Sequence, residues 1–146
     1  MFRRETLEEG ALPADAQGRV QYFDETLRRS EDVECWTRLA LTTGWRFEGL
    51  PGMLTHYLVN AGGLSADIPR QLESWEAVAE KVRSYAPGFI AAHGAEARAR
   101  ELRYLARRAV AMRQPAPALP RDVIHAIEGT LQFSCQLLDV CYIERF

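Results

Sequence analysis

The pattern of apolar and polar positions changes character about halfway along the chain. Residues 1–9 read as a short helix with Phe2 and Leu7 as its apolar contacts. Residues 10–18 (GALPADAQG) are a loop, rich in Gly, Pro, Ala and Asp. Residues 19–23 (RVQYF) suit a short extended segment, and Asp24-Glu25 leads into a turn. Ser30 is placed as the N-cap of a helix over residues 31–43, on which Val33, Trp36, Leu39 and Ala40 recur at helical steps; Gly44 is its natural stop. Trp45-Arg46-Phe47-Glu48 alternates with period two, as a half-buried strand does. After Leu50-Pro51-Gly52, residues 53–60 (MLTHYLVN) read as a second strand, ended by Gly62-Gly63.

From Ala66 onward the period is helical. Ile68, Leu72, Trp75, Ala79, Val82 and Tyr85 mark one amphipathic helix, closed by Pro87-Gly88. Residues 96–113 form the next. At about 100° per residue, Leu102, Leu105, Ala106, Ala109 and Met112 share a side, with Arg100, Arg103 and Arg107 nearly opposite. A Pro-rich linker (QPAPALP, residues 114–120) precedes a last helix from Arg121 into the 130s. The expected fold class is therefore α+β: short strands and helices over residues 1–67, then an all-α region over residues 68–146 built as an antiparallel helical appendage.

Composition narrows the function. The 146 residues carry 18 basic and 20 acidic side chains, net −2, which argues against nucleic acid as a partner because phosphate binding needs a basic excess. Cys35, Cys135 and Cys141 are too few and scattered for a disulfide framework or zinc site, and no apolar run approaches the ~20 residues that span a bilayer. With no signal-peptide pattern at Met1, a cytoplasmic location is expected. All basic residues but Lys81 are Arg, a bias that a GC-rich genome produces. The Arg100/Arg103/Arg107 face offers peripheral membrane association or a docking face for an acidic partner, the rival being a solvated face balanced by Glu96 and Glu101, which the pattern favours.

The stretch from Phe23 to Ser65 carries the candidate chemistry. Arg3-Arg4-Glu5, Phe23-Asp24-Glu25, Glu31-Asp32, Trp36, Arg38-Leu39-Ala40, Gly44 and Leu50-Pro51 follow in order. Together they resemble the acceptor half of a family 2 glycosyltransferase of the GT-A fold, over roughly residues 1–67. There an RRE-type helix is followed by F-D-E, by E-D-x-E/D-x-W-x-R-L-A, and by a strand ending at Pro. The resemblance implies an inverting transfer from a nucleotide-sugar to a glycan hydroxyl, in bacterial surface polysaccharide synthesis at the inner face of the membrane. It makes Asp32 the catalytic base.

The residues support that role on their own terms. An alcohol is a poor nucleophile until its proton is taken, and a carboxylate in a first helical turn beside an open cleft can take it. The competing reading of Asp32 is ordinary helix capping. Glu31 is assigned to orienting the acceptor or the helix. Trp36, four residues from Asp32, is either a platform for a sugar's apolar face or a core residue, the latter favoured by its helical spacing. Arg38 is a candidate substrate contact whose simpler role is pairing with Glu34 one turn earlier.

Two features depart from the family pattern. The place of a His near the metal-diphosphate is taken by Asn60, and His56 would lie about 13 Å away along a strand. The family's Asp-x-Asp, which holds the divalent metal (Mg or Mn) and the donor diphosphate, occurs nowhere in the sequence. The donor-binding half is thus expected to be missing, with no metal ligand in this chain and no turnover by the chain alone. The alternative readings are a non-enzymatic helical interaction module over residues 66–146, or a truncated product without function.

Overall fold

The computed structural model describes residues 3–49, 51–52, 63 and 66–136, with side chains to residue 129. Among the described residues five α-helices follow one another: α1 (Arg4–Glu9), α2 (Glu31–Thr42), α3 (Ile68–Tyr85), α4 (Pro87–Ala111) and α5 (Arg121–Gln136). A 3-10 turn, Ala116–Ala118, lies in the Pro-rich linker. Among the described residues there is no sheet; extended pairing is confined to one isolated antiparallel bridge, Leu12 with Gln21.

The α+β expectation is therefore corrected to an all-helical fold. Residues 45–49 have no regular structure, so the Trp45–Glu48 alternation is not a strand. Alternation yields a strand only where a neighbouring strand takes up the backbone hydrogen bonds. Of the extended segment at residues 19–23, Gln21 alone is paired. The second expected strand, with His56 and Asn60, lies outside the described residues.

The chain divides into two compact units, residues 1–60 with 73–95, and residues 61–72 with 96–146. In the first, α1 ends at Gly10, where a Cβ would sit 2.1 Å from Leu39 Cδ2 on α2. Only glycine permits that approach without displacing a fully buried leucine. Glu9 at the end of α1 accepts the Trp45 indole N–H at 2.8 Å, and the Arg3 guanidinium lies 5.8 Å from the centre of the Trp45 ring. These contacts fasten the exit of α2 to α1.

In the second unit, Ile68, Leu72, Leu105, Ala106, Ala109 and Val123 form an apolar core, with Leu102, Leu119, Ala126 and Ile127 packed against it. The buried positions on α4 are those its 3.6-residue period selects. Asp67 caps α3, its carboxylate accepting the Arg70 N–H at 3.1 Å, and Gln114 donates to the Ala66 carbonyl at 2.6 Å. Arg98 bonds Asp122 at 2.6 Å, across from α4 to the first turn of α5. α3 ends at Tyr85, before Pro87-Gly88 as expected, but α4 begins at Pro87 itself rather than at residue 96: proline lacks the N–H that a first helical position leaves unpaired anyway. Arg100 pairs with Glu96 at 2.6 Å, and partial burial raises the Glu101 carboxyl above its ordinary value.

Candidate functional site

The geometry of α2 decides which candidate residues are free to meet a ligand. Its apolar period points to Val33, Trp36, Leu39 and Ala40 as the inward side. Of these only Leu39 is buried, together with Glu34, Cys35 and Arg38, while Val33 and Trp36 are each 43% exposed. The helix thus turns a charged pair inward. Arg38 Nε donates to Glu34 Oε1 at 3.0 Å and Nη2 to Oε2 at 3.3 Å, a two-pronged contact. Arg38 Nη2 also donates to the Tyr22 carbonyl at 2.8 Å, tying α2 to the segment just before the Phe23-Asp24-Glu25 turn.

That turn is fixed in the same way. Asp24 is buried and accepts the Thr26 N–H at 2.9 Å and its hydroxyl at 2.6 Å. The remaining charge of Asp24 is met by Lys81 from α3. Also on α3, the Tyr85 hydroxyl is buried beside the Glu34 carboxylate without a well-formed hydrogen bond, and one Arg38 nitrogen, Nη1, is likewise buried and unpaired. Burial, with the Glu34 charge adding to it, pushes the Tyr85 phenol well above its ordinary value. Burial likewise pushes the Cys35 thiol up.

Asp24, Glu34 and Arg38 are thereby committed to internal contacts. Arg38, 6% exposed, is not available as the substrate contact that the sequence offered; it holds Glu34, as the four-residue spacing implies. Glu31 and Asp32 are exposed in the first turn of α2. Asp32 Oδ1 accepts the Val33 N–H at 2.8 Å. Ser30 holds the N-cap position in a left-handed conformation, φ 60°, without a side-chain cap, a correction to its expected role. Trp36 is not a core residue: its indole is half exposed one turn beyond Asp32, so a carboxylate and an aromatic ring share one flank of the helix.

Sequence reasoning passed over a second feature of this unit. A cavity of about 300 Å³ is built from the 15–25 segment. Its signal in the sequence is Asp15 four residues before Arg19, flanking Gly18 in a tight loop. The Asp15 carboxylate accepts the backbone N–H groups of Gln17 and Arg19 at 2.9 and 2.8 Å, and the Arg19 Nε–H at 2.6 Å. These donors, the Arg19 N–H foremost, hold the Asp15 carboxyl below the usual carboxylate range.

Among the described residues no group of three or more His, Cys, Asp or Glu side chains could hold a metal ion. No helix of the described residues is long and apolar enough to cross a membrane. Compared with known protein families, curated proteins and solved structures, the chain matches none.

Proposed function

We propose that this chain supplies the acceptor side of a family 2-like glycosyltransferase, with Asp32 as the general base that takes the proton of a glycan hydroxyl. The observation that carries the reading is the division of labour on α2. The inward charges, Glu34 and Arg38, are spent on one another and on the Tyr22 carbonyl, leaving Asp32 and Trp36 outward on one flank. A sugar stacks its C–H face on an indole, and a carboxylate one turn away reaches a hydroxyl of the same ring. Glu31, exposed beside Asp32, orients the acceptor through a further hydroxyl.

The nucleotide-sugar donor and the divalent metal are bound by a separate GT-A half bearing the Asp-x-Asp that this sequence lacks. The leaving diphosphate carries concentrated negative charge, and its departure is slow unless cationic groups meet it. The chain alone is accordingly inactive. The setting that fits is glycan assembly at the cytoplasmic face of a bacterial membrane.

The test is a reconstitution. With a donor-binding half, a nucleotide-sugar and Mg or Mn supplied, the chain supports transfer to a glycan, and Asp32→Asn lowers the rate by about 10²–10⁴-fold. Glycan binding by the variant, followed through the amide signals of residues 31–36, stays near the wild-type level. An Asp32→Asn protein as fast as wild type, or absence of transfer in every reconstitution, contradicts the reading.

A further inference from the structure

The cavity of the 15–25 segment lies apart from α2 in sequence, and nothing in the Asp32 reading requires it. Its walls are Asp15, Arg19, Gln21, Tyr22, Phe23 and Glu25, with Val20 beside them. The backbone that forms them is fixed from several directions. Leu12 N–H donates to the Gln21 carbonyl at 2.8 Å, Asp15 N–H to the Arg19 carbonyl at 3.1 Å, and Gly18 N–H to the Asp15 carbonyl at 2.9 Å. Arg38 holds the Tyr22 carbonyl, and Asp24, between Phe23 and Glu25, is buried against Thr26 and Lys81. A binding site whose walls are set before the ligand arrives saves the ordering cost of forming it.

The lining chemistry selects the ligand. Phe23 is 42% and Val20 58% exposed, leaving apolar surface at the cavity. Arg19 and Asp15 neutralise one another at 2.6 Å, so neither presents a free charge. What remains is the exposed Glu25 carboxylate, the Gln21 amide and the Tyr22 phenol, all suited to hydroxyl groups. The uncompensated charge is negative, which disfavours phosphate, diphosphate and other anions. Aromatic surface with a few converging donors and acceptors and no net positive charge fits a neutral polyol with one apolar face. The volume, near the lower end of ordinary ligand sites, suits a single sugar unit.

The geometry points to a sugar-binding subsite in this cavity, in which Phe23 stacks on a neutral pyranose ring and Glu25 and Gln21 hold its hydroxyls. The inference rests on the glycosyltransferase reading for its biological sense. It assigns to the acceptor a unit held by the 15–25 segment as well as the unit presented to Asp32.

The experiment is a titration of the full 146-residue chain with methyl glycosides of glucose, galactose, mannose and N-acetylglucosamine, followed by backbone amide shifts. At least one glycoside is expected to move the Gln21, Phe23 and Glu25 signals saturably, and inorganic pyrophosphate is expected not to. Phe23→Ala and, separately, the exposed Glu25→Gln should each weaken binding by about tenfold. The Glu25 variant keeps the test valid if loss of the Phe23 ring disturbs the turn. Saturable shifts confined to residues 31–36 overturn the subsite and leave the Asp32 reading standing. Shifts at residues 21–25 with no effect of Asp32→Asn on reconstituted transfer overturn the Asp32 reading and leave the subsite. No saturable shift at residues 21–25 with any glycoside, or a pyrophosphate response there, overturns the subsite outright.

Discussion

Each of the two units of this protein has an interior built on its own chemistry. The unit containing Ile68, Leu72, Leu105, Ala106, Ala109 and Val123 buries hydrocarbon against hydrocarbon. The unit containing α1 and α2 also buries Cys35, Leu39, Val78 and Val82, but it adds Asp24, Glu34 and Arg38, each 6% exposed or less. Burying apolar surface is favourable without regard to direction. Burying charges is costly unless each meets a partner in good geometry, and such a pair fixes direction more firmly than it adds stability. The first unit therefore trades some stability for a defined orientation of α2, on whose outer flank Asp32 and Trp36 sit.

The sharpest way to break this contrast is to remove one charge. Arg38→Met leaves Glu34 buried without its partner and should cost about 3–5 kcal/mol in urea unfolding, whereas the double change Glu34→Leu/Arg38→Met should recover most of that loss. In the apolar unit, Leu105→Ala should cost about 2–5 kcal/mol through lost burial and the cavity left, with no second change that restores it by removing a neighbour. Similar losses with opposite rescue behaviour separate the two kinds of core. A double variant as unstable as the sum of its parts would show that the ion pair is not a coupled unit.

A smaller effect is expected at Tyr85, whose phenol is held above its ordinary value by burial and by Glu34. The unfolded chain releases this proton near pH 10, while the folded chain keeps it to higher pH. Tyr85 should therefore contribute no pH dependence below about pH 10 and should lower stability progressively as pH rises beyond it. Tyr85→Phe should remove that alkaline loss. At neutral pH it should change stability little, because the hydroxyl is buried without a good partner. An unchanged alkaline profile in the variant would place the phenol in solvent.

The same contrast explains what the sequence made legible. The helices of the apolar unit could be read because hydrophobic period and burial coincide there: Leu105, Ala106 and Ala109 are both the periodic positions and the core. On α2 the existence and ends of the helix were readable, but its inward face was not. Hydropathy scores Trp36 and Val33 as buried and Glu34 and Arg38 as exposed, and only the pairing of the two charges reverses that order. The Trp45–Glu48 alternation misled because period two carries no information about whether a partner strand exists. Pro87 marks the end of α3 as expected, but the start of α4 at the same proline was not legible, because residues 87–95 carry no clear apolar stripe. At the candidate site, the placement of Glu31 and Asp32 in the first turn of α2 was legible from the helix start alone. The 15–25 cavity was hidden, since it depends on how an Asp15–Arg19 loop folds back on the turn after it rather than on any periodic signal.

The inward turn of the charged face of α2 is the claim on which the rest depends, and a soluble paramagnetic probe added to the isotope-labelled chain measures it directly. The account predicts strong broadening of the Trp36 indole N–H, with the Leu39 methyl groups and the Arg38 Nε–H protected. Protection of Trp36 together with broadening of Arg38 would contradict it, returning the helix to the orientation its hydrophobic period suggests.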